Sequence, residues 1–372
     1  MADPAHLLHV FPTFCPAGPQ VRSVLLMDAL GGGFRHTVVA TDNRLEAMEL
    51  VRSAQVETLP WTPPEGAMAG VRFCRDLLKR VEPDLLLTYN WGAMDAVLAA
   101  RSARLNRHVH HEDGFNADEA TGLRSRRNWA RRISLRSTEV VVPSANLMNI
   151  ARKTWRLSRA QLIPNGIDAD RFRRDPAAGA AFRSAHEIPQ DAFVLGAVGH
   201  LRPVKNFPRL VRAADAAAFP SDRPAVVCVV GDGPEREAIE SAASKAENIK
   251  VVFTGHLSQL TPAYSAFDAM AITSDSEQQP VSLLEAMAAG VPVVATDVGD
   301  VSQTLPPEGR VFVVPLGPKV EEELAGAMGR LAAAAGQRGE LAASGLERVR
   351  QRYSLSAMVS AYSEVFASAL RR

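Results

Sequence analysis

Short, unbroken apolar runs recur along the chain, and longer amphipathic stretches fill the intervals between them. Continuous runs suit strands covered on both faces, and the alternation is that of βα units around a parallel sheet. In the first half the strand-like runs are LLHVFP (7–12), TVVATD (37–42), LLLTYN (85–90), HVHH (108–111) and EVVVPS (139–144). Helices are expected near 20–31, 68–80, 92–103, 124–137 and 145–155.

The segment RFRRDPAAGAAFRSAHEIPQD (171–191) breaks this rhythm. Rich in Ala, Arg and Pro and without a strong apolar face, it reads as a domain boundary. A second series follows: FVLGAVGH (193–200), AVVCVVGDG (225–233), KVVFTGH (250–256), AMAITSD (269–275), PVVATD (292–297) and RVFVVP (310–315). The last stretch, 318–370, is expected to be helical and to close with the amphipathic SLSAMVSAYSEVFASAL (354–370). The expected fold is α/β, two Rossmann-like domains facing each other across a cleft, over residues 1–173 and 174–352, with a final helix over 353–372. In such sheets ligands bind beyond the carboxyl ends of the strands, which makes the cleft the expected site.

Composition narrows the classes. A length of 372 residues suits two domains, and 47% hydrophobic with 22% charged residues is ordinary for full globular cores. A net charge of +1 demands no nucleic acid. Cys15, Cys74 and Cys228 are far apart and form no CxxC pair, so neither a disulfide framework nor a zinc site is expected. The start MADPAHLLHVF lacks a basic region followed by a long apolar core, and no run reaches the length of a membrane span. A soluble, cytoplasmic protein is expected.

Four strand ends of the second half carry candidate chemistry. In GHLRPVKN (199–206), Gly199 lets the backbone turn, and His200, Arg202 and Lys205 suit a diphosphate; a solvated basic loop is the alternative. GDGPERE (231–237) places Gly231 and Gly233 between strand and helix, without a complete GxGxxG, and no P-loop is present. FTGH (253–256) offers Gly255 and His256 for backbone approach to a flat base. The fourth is TSDSEQQPVSLLEAMAAGVPVVATD (273–297). Here Glu277 precedes a helix beginning near Pro280, the first-turn amides around Val281 and Ser282 suit phosphate oxygens, and Glu285 could accept from ribose hydroxyls. Two glutamates eight apart mean little alone; their place between a strand end and a helix start carries the case.

These segments resemble, in order, the retaining GT-B glycosyltransferases of the glycogen-synthase-like family, also called group 1. Glu277 to Gly290 followed by VPVVAT is similar to the family's E-x7-E motif; GHLRPVKN resembles its diphosphate loop, VVGDGPERE its Gly-rich turn and IPNGIDADRF (163–172) its pre-linker segment. The resemblance implies donor binding in the second domain, acceptor binding in the first, and a last helix that crosses back. It implies a retaining transferase that moves a sugar from a UDP- or GDP-linked donor to a glycan or lipid-linked acceptor, as in cell-surface polysaccharide synthesis. Glu277, Lys205 and Arg202 would be catalytic, with no cofactor beyond the donor and, lacking a DxD motif, no metal.

Three positions depart from the family pattern: Gln278-Gln279 replace Gly-Phe, His200 replaces an arginine, and Ala17-Gly18 replace paired glycines, leaving Gly18 for any close approach. In HVHHEDGFNADEA (108–120), His111 or Asp113 would hold the place of a family histidine beside the sugar, with helix capping as the alternative. The stretch RSRRNWARRISLR (124–136) holds six arginines around Trp129 and Ile133, next to Leu123. It suits either a solvated basic face or peripheral contact with anionic membrane at its inner face. Without aromatic interleaving, nucleic-acid binding is discounted. A nucleotide-sugar epimerase and a catalytically silent GT-B subunit are the rival readings.

Overall fold

Seven strands run through the first part of the chain: β1 (Ala5–Phe11), β2 (Phe34–Ala40), β3 (Gln55–Thr58), β4 (Leu85–Tyr89), β5 (His108–His111), β6 (Glu139–Val142) and β7 (Ala160–Leu162). They come from a computed structural model that describes residues 3–63, 65–66, 68–115 and 124–372. All are parallel, in the order β3-β2-β1-β4-β5-β6-β7. The second part contributes β8 (Phe193–Val198), β9 (Ala225–Val230), β10 (Lys250–Gly255), β11 (Ala269–Ile272), β12 (Val293–Thr296) and β13 (Val313–Val314). These too are parallel, in the order β10-β9-β8-β11-β12-β13. Each sheet therefore follows the doubly wound order in which the first strand lies at the middle and the winding reverses beside it.

The chain divides into unit 1, Met1–Asn165 with Ser356–Arg372, and unit 2, Gly166–Leu355. The second unit thus begins ahead of residue 174, and the stretch 171–191 is no linker. Within it lies the helix Pro176–Ala185, whose first amides are capped by the Asp175 carboxylate. Phe182 is buried, and Arg183 donates to the carbonyls of Ala266, Gln190 and Ala192 and pairs with Asp268. Small residues hide the buried side of this helix from a hydropathy pattern.

Alternation along the unit 2 strands sorts side chains onto two faces. Phe193, Leu195, Ala197, Val227 and Val229 pack with Leu210, Val211, Leu324 and Met328; Val194, Val226, Cys228 and Val230 pack with Phe267, Leu283, Leu284 and Met287. Burial on both sides explains why those strands read as continuous apolar runs. The expected strand 310–315 shortens to β13, because Pro307–Phe312 forms a 3-10 turn that buries Phe312. Two edge strands carry no apolar run and were not expected: Gln55, Glu57 and Thr58 of β3, and Gln161 and Leu162 of β7, face solvent. Among the described residues, no helix is long and apolar enough to cross a membrane.

Candidate active site

In unit 2 the winding reverses between β8 and β11, and a doubly wound sheet opens a crevice at that point beyond the strands' carboxyl ends. Three turns meet there. Gly199 follows β8, Gly231 follows β9, and Gly255 ends β10. The Gly231 N–H donates to the Gly255 carbonyl at 2.9 Å, and a Cβ on Gly231 would stand 2.0 Å from the Gly199 carbonyl oxygen. Only glycine permits that approach, at a φ of +131°. Two residues on, a Cβ on Gly233 would stand 2.7 Å from the Leu201 carbonyl oxygen. His200, Arg202 and His256 are exposed. The Arg202 side chain has no hydrogen-bond or ion-pair partner among the described residues, so the loop presents it to solvent.

Lys205 is held differently. Thr273, just past β11, donates its hydroxyl to the carbonyls of Asn206 (3.1 Å) and Lys205 (3.3 Å), while the Asp275 N–H donates to Val204 (2.8 Å). These bonds tie the 203–206 turn to the β11 end. They bring Lys205 Nζ to 2.5 Å from Glu277 Oε1, which also accepts from the Ser274 hydroxyl at 2.7 Å. Both side chains of the ion pair are mostly buried, at 17% and 12% exposure, so solvent screens the pair poorly. Glu277 and Lys205, 72 positions apart, are thus brought together at the switch point.

The helix Val281–Ala288 starts just after Pro280 and has no side-chain cap, so its first amides are unsatisfied by the helix itself. Val281 and Ser282 lie in that first turn, half-buried. One turn on, Glu285 Oε2 accepts from the Tyr264 hydroxyl at 2.8 Å. Burial raises the Glu285 pKa against the opposing effect of that hydrogen bond, and burial together with Glu285 lifts the Tyr264 phenol well above its usual range. Gln278 and Gln279 are buried in the intervening loop, and the Gln278 carbonyl accepts from the Asp300 N–H at 2.8 Å.

In unit 1, Gly18 opens the helix Gly18–Leu30. From that helix Arg22 reaches Asp113 with both terminal nitrogens, one at 2.9 Å, and Asn165 at 3.2 Å. The Asp113 carboxylate is therefore committed to a buried arginine. His111 is buried between the rings of Tyr89 (4.5 Å) and Tyr362 (5.7 Å), with Nδ1 3.3 Å from the Thr88 carbonyl. Burial first, then Arg22, pushes its pKa well below the ordinary range. The helix Ser125–Ser134, the next among the described residues, begins at Arg124 with no side-chain cap, so neither residue caps it. Residues 116–120 of the polar segment, and Leu123, lie outside the described residues.

Residues 192–334 match the family described as Glycosyl transferases group 1, and residues 27–171 match Glycosyltransferase Family 4. The chain belongs to the group 1 glycosyltransferases. Among its relatives, a 2-deoxystreptamine glucosyltransferase from Streptomyces kanamyceticus is 32% identical over 39% of this chain and 38% of its own. A GDP-mannose-dependent alpha-mannosyltransferase from Mycobacterium tuberculosis is 28% identical over 82% of this chain and 73% of its own. The chain spans 38%, 50% and 55% of the length of the first three curated relatives it matches. Among solved structures, HepE from Anabaena, in complex with UDP and glucose, superposes with a TM-score of 0.81 at 19% identity, covering 98% of this chain and all of that one. The two units are the two Rossmann-like domains of the GT-B fold.

Both glutamates and Lys205 were singled out as candidates in the sequence, but what holds them was not. Ser274 and Tyr264 orient the carboxylates, and Arg22 occupies Asp113. Ser274 stood in the strand-end run TSDSE, where a small polar residue three before Glu277 was the available signal. Nothing local marked Tyr264 or Arg22, whose partners lie 21 and 91 positions away.

Proposed function

We propose that this protein is a retaining glycosyltransferase that moves a sugar from a UDP- or GDP-linked donor to a glycan or lipid-linked acceptor, in cell-surface polysaccharide synthesis. The observation that carries the reading is the Lys205–Glu277 pair lying directly ahead of the uncapped start of helix Val281–Ala288, with Glu285 held by Tyr264 one turn later. That order suits a nucleoside diphosphate: helix amides and Lys205 for phosphate oxygens, Glu285 for ribose hydroxyls, Glu277 for the sugar ring. As the glycosidic bond breaks, charge grows on the departing diphosphate. Lys205, the helix N-terminus and Arg202 on the same loop meet that charge, so the reaction needs no metal or cofactor. The acceptor attacks the face from which the nucleotide leaves, and configuration is kept. The free thiols of Cys15, Cys74 and Cys228 suit a reducing, cytoplasmic setting. The relatives' names support both nucleotide choices, one being GDP-mannose-dependent and HepE being in complex with UDP.

The test is a thermal-shift screen against UDP, GDP, ADP and their sugar conjugates, followed by transfer assays with the stabilising donor, with and without EDTA. One nucleotide series should raise the melting temperature, and Lys205→Ala and Glu285→Ala should both reduce the shift. The product anomer, read by NMR, should match the donor's. No stabilisation by any nucleotide at millimolar concentration overturns the reading, as does conversion of donor alone into an epimer.

A further inference from the structure

The helix Ser125–Ser134 turns one arginine inward and its large apolar side chains outward. Arg131 is fully buried, paired with Glu112 at 3.0 Å and set over the rings of Trp91, Phe115 and Trp155 at 5.0 to 5.5 Å. Trp129 and Ile133, on the opposite side, are 60% and 53% exposed. The i,i+4 spacing that marks an apolar helix edge is present, yet the edge points to solvent. Beside it lies a hollow of about 410 Å³ lined by Trp129, Ile133, Arg101, Arg132, Arg136 and Arg156. Among the described residues no carboxylate lines it. The Arg101 guanidinium donates to the Ile133 carbonyl, and Arg132 sits 5.2 Å over the Trp129 ring. Arg132, Arg136 and Arg156 have no carboxylate partner among the described residues.

Exposed Trp and Ile cost solvation, and unpaired arginines around them repel one another. Both costs vanish against a surface that is anionic at one depth and apolar just below it. We infer that this face of unit 1 docks on an anionic phospholipid bilayer, with Trp129 and Ile133 entering the headgroup–acyl boundary and the arginines meeting lipid phosphates. Trp favours that boundary, and arginine stems reach phosphate level while their apolar parts stay in contact with the ring. A nucleic acid would need a groove of stacking rings, and this patch has one aromatic side chain. The inference fits a lipid-linked acceptor but does not depend on the transfer chemistry of unit 2.

The test uses the full chain, without nucleotide, in flotation with phosphatidylcholine vesicles that contain or lack phosphatidylglycerol. Flotation should require the anionic lipid and weaken with salt. In a triple variant, Arg132→Ser, Arg136→Ser and Arg156→Ser, partitioning should fall about fivefold for each arginine removed. Trp129→Ala with Ile133→Ser should leave a weaker, wholly salt-sensitive interaction and abolish the blue shift of tryptophan emission on binding. All these side chains lie at the surface, so melting temperatures and nucleotide shifts should match wild type, which separates failure of this inference from failure of the donor site. Absence of flotation, equal flotation on neutral vesicles, unchanged flotation of both variants, or displacement of the vesicles by RNA at lower concentration would each overturn it.

Discussion

Both sheets wind in the same order, but they fill their interiors with different chemistry. Unit 2 keeps an apolar interior on both faces and gathers polar groups at the strand ends, where Lys205, Glu277 and the uncapped helix meet. Of its histidines, His200 and His256 are exposed and His186 is half-buried. Unit 1 buries six: His6, His9, His36, His108, His110 and His111. They form relays through the sheet. His9 bridges Tyr89 and His36, each at 3.0 Å; Thr88 joins His108 and His110, each at 2.8 Å; His6 joins Thr37, which donates to Glu57. A buried polar group is tolerated when its partner is built in. One topology therefore rests in unit 2 on apolar area and in unit 1 on apolar clusters joined to a buried hydrogen-bond network. The contrast teaches that unit 1 should fail when a partner is removed or a proton added, and unit 2 when its strand ends are altered. All four tryptophans, Trp61, Trp91, Trp129 and Trp155, belong to unit 1, so their fluorescence follows that unit alone.

The largest effect should come from Arg131→Ala. Removing this buried cation strands the Glu112 carboxylate without its partner, which costs ~3–5 kcal/mol in comparable buried pairs. Urea unfolding followed by tryptophan emission should show the loss. A double change, Arg131→Met with Glu112→Leu, should recover most of it, because both charges then leave the interior together. If the single change costs under ~1 kcal/mol, connectivity is not what holds unit 1.

Next comes Lys205→Ala in unit 2. The substitution leaves Glu277 its bond from Ser274 and touches no apolar core, so the hydrogen-exchange protection of unit 2 should stay put. Transfer turnover should fall ~100- to 1,000-fold, the usual consequence of losing one donor to a developing oxyanion. A stability loss in place of a rate loss would make Lys205 a structural cation.

Acidification should separate the units by a smaller margin. Burial lowers the His36 pKa to about 4 and the His108 pKa to about 3, and holds His9 and His111 well below the ordinary range. The folded rings stay neutral while the unfolded chain takes up protons near pH 6.5, so stability is intact above that pH and drains away as pH falls toward about 4 and 3. By pH 5, His36 alone should remove about 2 kcal/mol from unit 1. Hydrogen exchange at pH 7 and 5, compared with unit 2 as internal reference, reads the difference. Equal losses in both units would dissolve the contrast.

Much of this was legible in the residues. Apolar runs marked β1, β4, β8 and β9, and the run from Glu277 to Gly290 marked the helix Val281–Ala288, because burial on two faces and helix starts leave local signatures. The Lys205–Glu277 bond was not legible: it depends on Ala269 and Met270 of β11 pairing with Leu195 and Gly196 of β8, a register no local pattern encodes. The inversion of Ser125–Ser134 was hidden for a sharper reason. Hydropathy places Arg131 outside, and only the rings of Trp91, Phe115 and Trp155 with the Glu112 carboxylate bring it in. Asp113 read as a sugar-side or capping residue because the arginine that occupies it lies in another element.

The smallest expected effect tests how tightly the strand ends of unit 2 are positioned. Gly299 adopts a φ of +56°, and a Cβ there would stand 2.2 Å from the Glu277 carbonyl oxygen and 2.6 Å from that of Gln278. Its neighbour Asp300 fixes the same loop through the bond from its N–H to the Gln278 carbonyl. Any side chain at 299 must therefore displace the peptide that carries Glu277, while Tyr264, Glu285 and the glycine turns of β8 to β10 stay in place. Gly299→Ala should lower kcat roughly tenfold, equivalent to ~1.4 kcal/mol, and leave the Kd for nucleoside diphosphate within a few-fold of wild type. Gly299→Asn separates the two causes, since asparagine accepts a left-handed backbone far better than alanine but brings the same Cβ. Equal losses in both variants would assign the effect to the clash with the Glu277 loop. Rescue by asparagine would assign it to backbone strain, and a loss of nucleotide affinity as large as the loss of kcat would mean that the loop and the helix Val281–Ala288 move as one body.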